Sequence, residues 1–191
     1  MSATRLAAGS HVVAPAEDQT DAVPGRRSGV LAALSVAILV AALSFIPVLR
    51  TPTFYLWDGS AAVFIPTWRA AGQELLAGQW PVLRPDFWMG GNWAAEAQFG
   101  FWNPVNLLLM MGVALIPNLA VGAHLVKLAF LLLLALGAFT LAREYGAKPG
   151  LAAAVSIALP FAGFTLYYDA ATWVAGLMAA AWTPWFWWAI R

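Results

Sequence analysis

The chain has 191 residues, of which 62% are hydrophobic and only 10% carry a charge. Because average soluble domains carry about 25% charged residues, this composition excludes an ordinary soluble domain and predicts an integral membrane protein. A formal net charge of +1 argues neither for nor against nucleic acid as a partner, but the sequence has no basic patch interleaved with aromatic residues, so nucleic acid is not a candidate. The lack of cysteine excludes thiolate catalysis and Cys-based metal sites. The two histidines, His11 and His124, form no metal-binding motif.

The N-terminal part of the chain divides into a polar tail and an apolar helix. Residues 1–27 show no apolar period, and we interpret them as a disordered cytoplasmic tail. Residues 28–49 carry no charge and would form about 33 Å of helix, enough to cross a bilayer. A cleavable signal peptide is the rival interpretation, but the run is longer than a signal h-region and no small-residue cleavage site follows it. The sequence therefore predicts a first transmembrane helix that stays attached.

Residues 50–103 form the long polar segment of the chain and are predicted to be an extracytoplasmic loop. Within it, apolar residues repeat at helical spacing over residues 60–77, which predicts a helix along the membrane surface. Asp58 or Ser60 would cap the start of this helix, and Gly78 would end it.

The remainder of the chain is predicted to be helical and largely embedded in the membrane. Residues 104–117 are apolar but too short for a span, so we interpret them as an interfacial or re-entrant helix. Three further spans are predicted at residues 119–142, 150–168 and 172–190. The predicted fold class is an all-α polytopic membrane protein with about four transmembrane helices and a long first loop.

Basic residues set the predicted orientation. With four crossings, five basic residues near the ends of the spans lie on the same side of the membrane. They are Arg26, Arg27, Arg143, Lys148 and Arg191. Because Lys and Arg accumulate on the cytoplasmic side, both termini are predicted to be cytoplasmic, and the loop of residues 50–103 to lie outside.

Asp58, in the run from Phe54 to Gly59, is the first candidate for chemistry. A carboxylate among aromatic neighbours at a membrane interface can act as a general base or bind a metal. The alternative is that its side chain only caps the helix predicted to begin near Ser60, a common role of aspartate. The residues alone favour the cap.

Other acidic residues can converge on Asp58. Asp86 and Glu96 belong to the same loop, although solvation or turn chemistry is the more common role for both. Asp169 can also face the site, but an acid at the end of a span is more often exposed. No set of metal ligands is assembled from these residues, no cofactor is predicted, and a divalent metal is left open.

His124 and Lys127 are three residues apart in the predicted second span, so they share a helix face. A lysine inside a membrane is costly, and it indicates a buried partner or an anion such as the phosphate of a lipid-linked substrate. The alternatives are that Lys127 snorkels to the interface and that His124 bonds to a neighbouring helix. Given the cost of burying the ammonium, the anion-binding interpretation and the alternatives are about equally favoured.

Several motifs follow one another through the loop and into the next apolar segment. They are Trp57-Asp58-Gly59, Leu75-Leu76-Ala77-Gly78-Gln79-Trp80-Pro81-Val82-Leu83, Gly90-Gly91, and Gln98-Phe99-Gly100-Phe101-Trp102-Asn103-Pro104-Val105-Asn106-Leu107-Leu108. This pattern resembles the N-terminal part of bacterial YfhO-type membrane proteins, which are similar to the GT-C superfamily of polytopic glycosyltransferases. The resemblance covers residues 30–191, and it implies that the chain is part of a larger GT-C-type bundle.

The resemblance implies an inverting glycosyltransferase in the bacterial cytoplasmic membrane. Such an enzyme takes a sugar from a polyprenyl-phosphate carrier and passes it to an envelope glycan or lipid acceptor on the outer side. Asp58 matches the first-loop carboxylate that these enzymes use as the base toward the acceptor hydroxyl. Arg69, His124 and Lys127 are inferred, without a motif match, to hold the departing phosphate through charge-assisted hydrogen bonds.

The alternative function is a small non-enzymatic polytopic membrane protein, either an assembly partner or a transporter component. Transporter sites lie near the bilayer midplane on broken helices, whereas here the polar residues gather in an outer loop. This distribution favours chemistry at the membrane interface.

Overall fold

The computed structural model describes residues 22–82, 92 and 95–191, with residues 22–27 as backbone only. These residues form helices and connecting turns, and no β-strand occurs among them. The all-α class is therefore confirmed for this part of the chain. Most of the predicted tail, Asp86 and the Gly90-Gly91 turn lie outside the described residues.

Six α-helices and two π-helical segments organise the described chain. In order they are α1 (Ala22–Arg50), π1 (Ser60–Phe64), α2 (Ile65–Leu76), a 3₁₀ turn (Ala97–Phe99), α3 (Pro104–Leu115), α4 (Leu119–Glu144), α5 (Pro149–Ala158), π2 (Thr165–Ala170) and α6 (Val174–Ala189). Asparagine caps begin two of them, since Asn103 Oδ1 accepts from the Val105 N–H and Asn118 Oδ1 from the Ala120 N–H. Helix α1 begins before residue 28, so the helix extends into the predicted tail.

Two helices are long and apolar enough to cross a membrane, namely Ser28–Arg50 within α1 and the whole of α4. They coincide with the first two predicted spans. Helices α5 and α6 are shorter than the ~20 residues that a straight crossing needs. The total of four spans therefore stays a prediction.

The structure shows a break in the helix predicted as the third span. Residues 150–168 do not form one continuous helix, because α5 ends at Ala158, shortly before Pro160. Proline lacks an N–H and clashes with the preceding helical turn, so a helix ends there unless its neighbours compensate. A turn follows, and π2 begins at Thr165.

Helix α4 lies at the centre of the fold. It packs against α6, α5 and α1, and its buried face includes Phe130, Leu131 and Leu134. Helix α2 packs closely on α3 at Gly72, which lies against the Met110 carbonyl. The long polar segment is thereby attached to the helical bundle through α2 and π1.

The ends of α4 and α6 meet at one end of the bundle. The Arg191 guanidinium lies 4.0 Å from the centroid of the Tyr145 ring, and Trp187 Nε1 donates to Tyr145 Oη at 2.9 Å. Arg143, Lys148 and Arg191 therefore share one end of the fold. This placement is the one that the predicted orientation requires.

Candidate functional site

Lys127 is fully buried on α4 and joins the two π-helical segments. Its ammonium donates to Ser60 Oγ at 2.8 Å and to the Ala170 carbonyl at 2.6 Å. Ser60 is the first residue of π1, and Ala170 is the last residue of π2. Because π-helical turns are rare and often occur at functional sites, the junction at Lys127 marks the candidate site.

Ser60 extends this junction to the segment that precedes α6. Its hydroxyl accepts from Lys127 and donates to the Thr172 carbonyl at 3.0 Å. The Thr172 hydroxyl in turn donates to the Tyr168 carbonyl at 2.7 Å. The buried ammonium is thus held by two neutral oxygens, one from each π-helical segment, and Ser60 links it onward to Thr172. The sequence suggested Ser60 only as a helix cap and did not reveal this role.

Asp169 is an acidic neighbour of this junction. Its residue is buried, and burial raises the pKa of the carboxyl, while the Lys127 ammonium offsets part of that rise. Oδ1 lies against Gly176 near the start of α6, where an added Cβ would overlap it. The structure therefore places Asp169 inside the fold and near Lys127, not in an exposed loop.

Asp58 lies just before Ser60 and is exposed. Its φ of 45° is in the left-handed region, which is uncommon outside glycine and is tolerated best by Asn and Asp. Its carbonyl accepts from the backbone N–H groups of Ala61 and Ala62 at 3.0 and 2.8 Å. No side chain caps the start of π1, so the favoured interpretation of Asp58 as a side-chain cap is not supported.

The turn that carries Asp58 is held against the Lys127 junction. On its C-terminal side, Ser60 bonds to Lys127. Gly59 packs on the segment before α6, where an added Cβ would lie 3.1 Å from the Thr172 carbonyl and 3.5 Å from the Trp173 ring. The carboxylate of Asp58 is thus carried by a firmly anchored turn.

His124 is buried one turn before Lys127, as the shared face predicted. Its Nε2 lies 3.1 Å from Ser44 Oγ of α1, and its ring stacks on Tyr55 with a centroid separation of 5.0 Å. Burial raises the pKa of the Tyr55 hydroxyl, which donates to the Ser44 carbonyl at 3.1 Å. His124 therefore connects α1, α4 and the first turn of the loop, as the neighbouring-helix alternative expected.

Arg69 does not join His124 and Lys127. Its Nη1 donates to the Pro117 carbonyl at 3.3 Å, between α3 and α4. The three residues predicted to hold a phosphate thus have three different sets of protein partners. The fold does not assemble them into one anion-binding cluster, because Lys127 and His124 face the interior of the bundle.

Glu96 lies in the segment that leads to the 3₁₀ turn. It is partly exposed, and its Oε2 accepts from Gln98 Nε2 at 3.3 Å. Phe99, in the same segment, packs on Phe64 of π1 with a centroid distance of 5.2 Å. Asp86 lies outside the described residues.

An apolar groove of about 480 Å³ opens beside π2. It lies between the end of α1 and the chain that follows α5, with Leu166 and Tyr167 of π2 in its wall. Arg50 and Thr51 also line it, and Arg50 is exposed. One π-helical segment thus contributes both to the groove and to the Lys127 junction. No local sequence pattern predicts the groove, because its walls come from distant parts of the chain.

Among the residues that the structure describes, no three His, Cys, Asp or Glu side chains are grouped to hold a metal ion.

Comparisons with protein-family models, with curated proteins and with solved structures return no significant match to this chain. The resemblance to YfhO-type proteins and to the GT-C superfamily therefore stays a prediction that rests on the loop motifs.

Proposed function

We propose that this chain is the N-terminal part of a GT-C-type membrane glycosyltransferase. It would transfer a sugar from a polyprenyl-phosphate donor to a cell-envelope acceptor on the extracytoplasmic side. The observation that carries the proposal is Asp58, an exposed carboxylate in a left-handed backbone conformation with no capping role. Residues held in such conformations cluster at active sites, and an accessible carboxylate can accept a proton.

In this proposal Asp58 acts on the acceptor. Its carboxylate takes the proton of the acceptor hydroxyl as that oxygen attacks the anomeric carbon of the donor sugar. The bond between the anomeric carbon and the phosphate oxygen breaks, and polyprenyl phosphate leaves with the bonding electrons. Asp58 then returns the proton to solvent.

The groove beside π2 supports a lipid-linked donor. Its apolar lining suits an isoprenoid chain, and Arg50 at its exposed edge can hold the phosphate by charge-assisted hydrogen bonds. We assign the phosphate to Arg50 in preference to His124 and Lys127, because those two side chains are enclosed and bonded to protein atoms. Their role would be to anchor the turn that carries Asp58.

The test of this function is Asp58→Asn in the full-length protein. Asparagine also tolerates the left-handed conformation, so we expect normal protein levels with sugar transfer reduced by about 10²-fold or more. Transfer is measured in isolated membranes with a radiolabelled polyprenyl-phosphate sugar. Glu144→Gln, which changes an exposed acid at the far end of α4, is the matched control. Wild-type transfer by Asp58→Asn would remove Asp58 from the mechanism.

A non-enzymatic assembly protein is the second candidate function. It is favoured by the hydrogen bonds of Lys127, because a buried cation that is satisfied by protein oxygens needs no ligand. Much of α1 is also exposed and apolar, as at Leu31, Ile38 and Leu49, and can contact other membrane helices. Under this function, Asp58→Asn has no effect on envelope glycosylation.

A further inference from the structure

A cleft lies between α6 and the segment that leads into α3. Two adjoining pockets of about 240 and 530 Å³ form it. Both are lined by Ala97, Gly100, Asn103 and Trp182. Small-molecule sites typically enclose ~300–1,000 Å³, so the cleft has room for a small ligand.

Two polar atoms in the walls of this cleft have no hydrogen-bond partner within the described chain. They are the acceptor Oδ1 of Asn106 and the donor Nε1 of Trp182. The Asn106 amide is oriented by its other end, since Nδ2 donates to the Gly100 carbonyl at 3.0 Å and lies 3.4 Å from Met178 Sδ. Asn106 is 97% buried, with 3% of its surface exposed. Unpaired polar atoms at such depth are costly and are rare in folded proteins.

Both unpaired atoms belong to residues that line the smaller pocket, and each atom is itself enclosed. A ligand in the cleft would meet Nε1 and Oδ1 only after the Trp182 indole and the Asn106 amide rotate. Torsions that connect a planar group to its Cβ have broad energy wells, which favour such a rotation.

The lining selects the chemistry of that ligand. None of the described side chains that line the two pockets is charged, and the polar ones are Gln98, Asn103, Asn106 and the indole of Trp182. Among these described side chains, a phosphate or another ion would find no counter-charge. A hydroxyl suits both unpaired atoms, because it accepts from an N–H and donates to a carbonyl oxygen.

Trp102 adds an aromatic surface at the open side of the cleft. It is 70% exposed and lines the larger pocket, and Trp80 lies beside it with a centroid distance of 6.0 Å. The negative face of an aromatic ring attracts the C–H groups of an apolar surface. A sugar ring offers such a surface together with hydroxyl groups.

We propose that this cleft binds one neutral glycosyl residue. Trp102 stacks on the sugar ring, Trp182 Nε1 donates to one hydroxyl, and Asn106 Oδ1 accepts from another. Binding at this site requires neither sugar transfer nor Asp58, so it is tested independently of the proposed function.

The experiment is saturation-transfer difference NMR on the full-length protein in phosphatidylcholine nanodiscs, which contain no sugar-headed detergent. The probes are methyl glycosides of hexoses, pentoses and N-acetylhexosamines. We expect the wild-type protein to saturate at least one glycoside. Trp182→Phe removes the indole N–H donor and some ring area. It should weaken the binding of that glycoside about tenfold. Trp102→Leu should abolish its signal.

The controls distinguish a loss of binding at the cleft from a loss of folding. Trp187→Phe removes an indole N–H five residues further along α6, outside the residues that line the cleft, so it should bind the glycoside as the wild type does. Trp182→Phe should keep the fold and lose only the stability that goes with the smaller ring, because Nε1 makes no hydrogen bond in the described fold. The proposal is overturned if no glycoside is saturated. The proposal is also overturned if Trp182→Phe binds the glycoside with the affinity of the wild type. That result would mean that Nε1 bonds to a water molecule and not to the sugar.

Discussion

Asp58 holds a left-handed backbone conformation that costs an L-amino acid roughly 1–2 kcal/mol. Lys127, which bonds to Ser60 two residues further along the chain, carries a second local cost, the burial of an ammonium group. Both costs lie close together, because Ser60 in the turn that follows Asp58 bonds to Lys127. At the residue scale, this concentration of unfavourable features is what separates the candidate site from ordinary helix packing.

Replacing Asp58 tests the backbone cost directly. Asp58→Gly should stabilise the protein by up to about 1 kcal/mol, because glycine adopts φ > 0 freely but loses more entropy on folding. Asp58→Ala should destabilise it, because alanine lacks the tolerance of Asp and Asn for this region. Thermal melting in nanodiscs measures both. A lower melting temperature for Asp58→Gly would mean that the Asp58 side chain makes a stabilising contact.

A double-mutant cycle tests the bond between Lys127 and Ser60. Lys127→Met leaves the Ala170 carbonyl unpaired, and Ser60→Ala removes the acceptor and the donor to Thr172. Because both substitutions break the same hydrogen bond, the double variant should lose about 1 kcal/mol less stability than the sum of the single losses. Chemical denaturation of the purified wild type, the two single variants and the double variant provides the four free energies of unfolding. Strict additivity would show that the bond contributes nothing.

At the element scale, the polar segment depends on the contact between α2 and α3. Gly72 allows the two helices to approach so closely that an added Cβ would overlap the Met110 carbonyl. Since α2 continues directly from π1, a shift of α2 would also displace Ser60 and the Asp58 turn. The close contact at Gly72 therefore helps to position the candidate site.

Gly72→Ala should consequently destabilise the protein by about 1–3 kcal/mol through overpacking. Gly112→Ala on α3 is the matched control, because an added Cβ there meets no atom within 4 Å. The control should be neutral or stabilising by up to about 1 kcal/mol, since alanine favours helix more than glycine does. Thermal melting of the two variants tests this prediction. Equal melting temperatures would contradict the close approach of α2 and α3.

At the scale of the whole molecule, the orientation in the membrane can be tested by cysteine labelling, because the 191 residues contain no cysteine. Trp57→Cys and Glu144→Cys place single thiols at exposed positions near opposite ends of the bundle. With a membrane-impermeant maleimide, we expect Trp57→Cys to react in intact spheroplasts and Glu144→Cys to react only after lysis. The reverse pattern would invert the topology, and labelling of both from outside would contradict the predicted crossings.

Much of the helical framework follows from local sequence patterns. The high apolar content predicts a membrane class, and in lipid only structures that satisfy their own backbone hydrogen bonds, such as helices, can span. Helices α3 and α4 begin at the predicted residues, Pro104 and Leu119. The common face of His124 and Lys127 was also predictable, because residues three apart on a helix are neighbours. These features depend on interactions within one or two helical turns.

Tertiary structure alone decided the composition of the candidate site. Lys127 bonds to Ser60, 67 positions away in the chain, and the groove beside π2 joins residues from α1 with residues that follow α5. The turn at Asp58, whose side chain does not cap π1, likewise depends on packing, because Gly59 lies against the segment before α6. The sequence by itself determined which segments are helical and which polar residues are unusual, because propensity and hydropathy act locally. Which of those residues meet was decided by the packing of the helices, because contacts between distant segments have no local pattern.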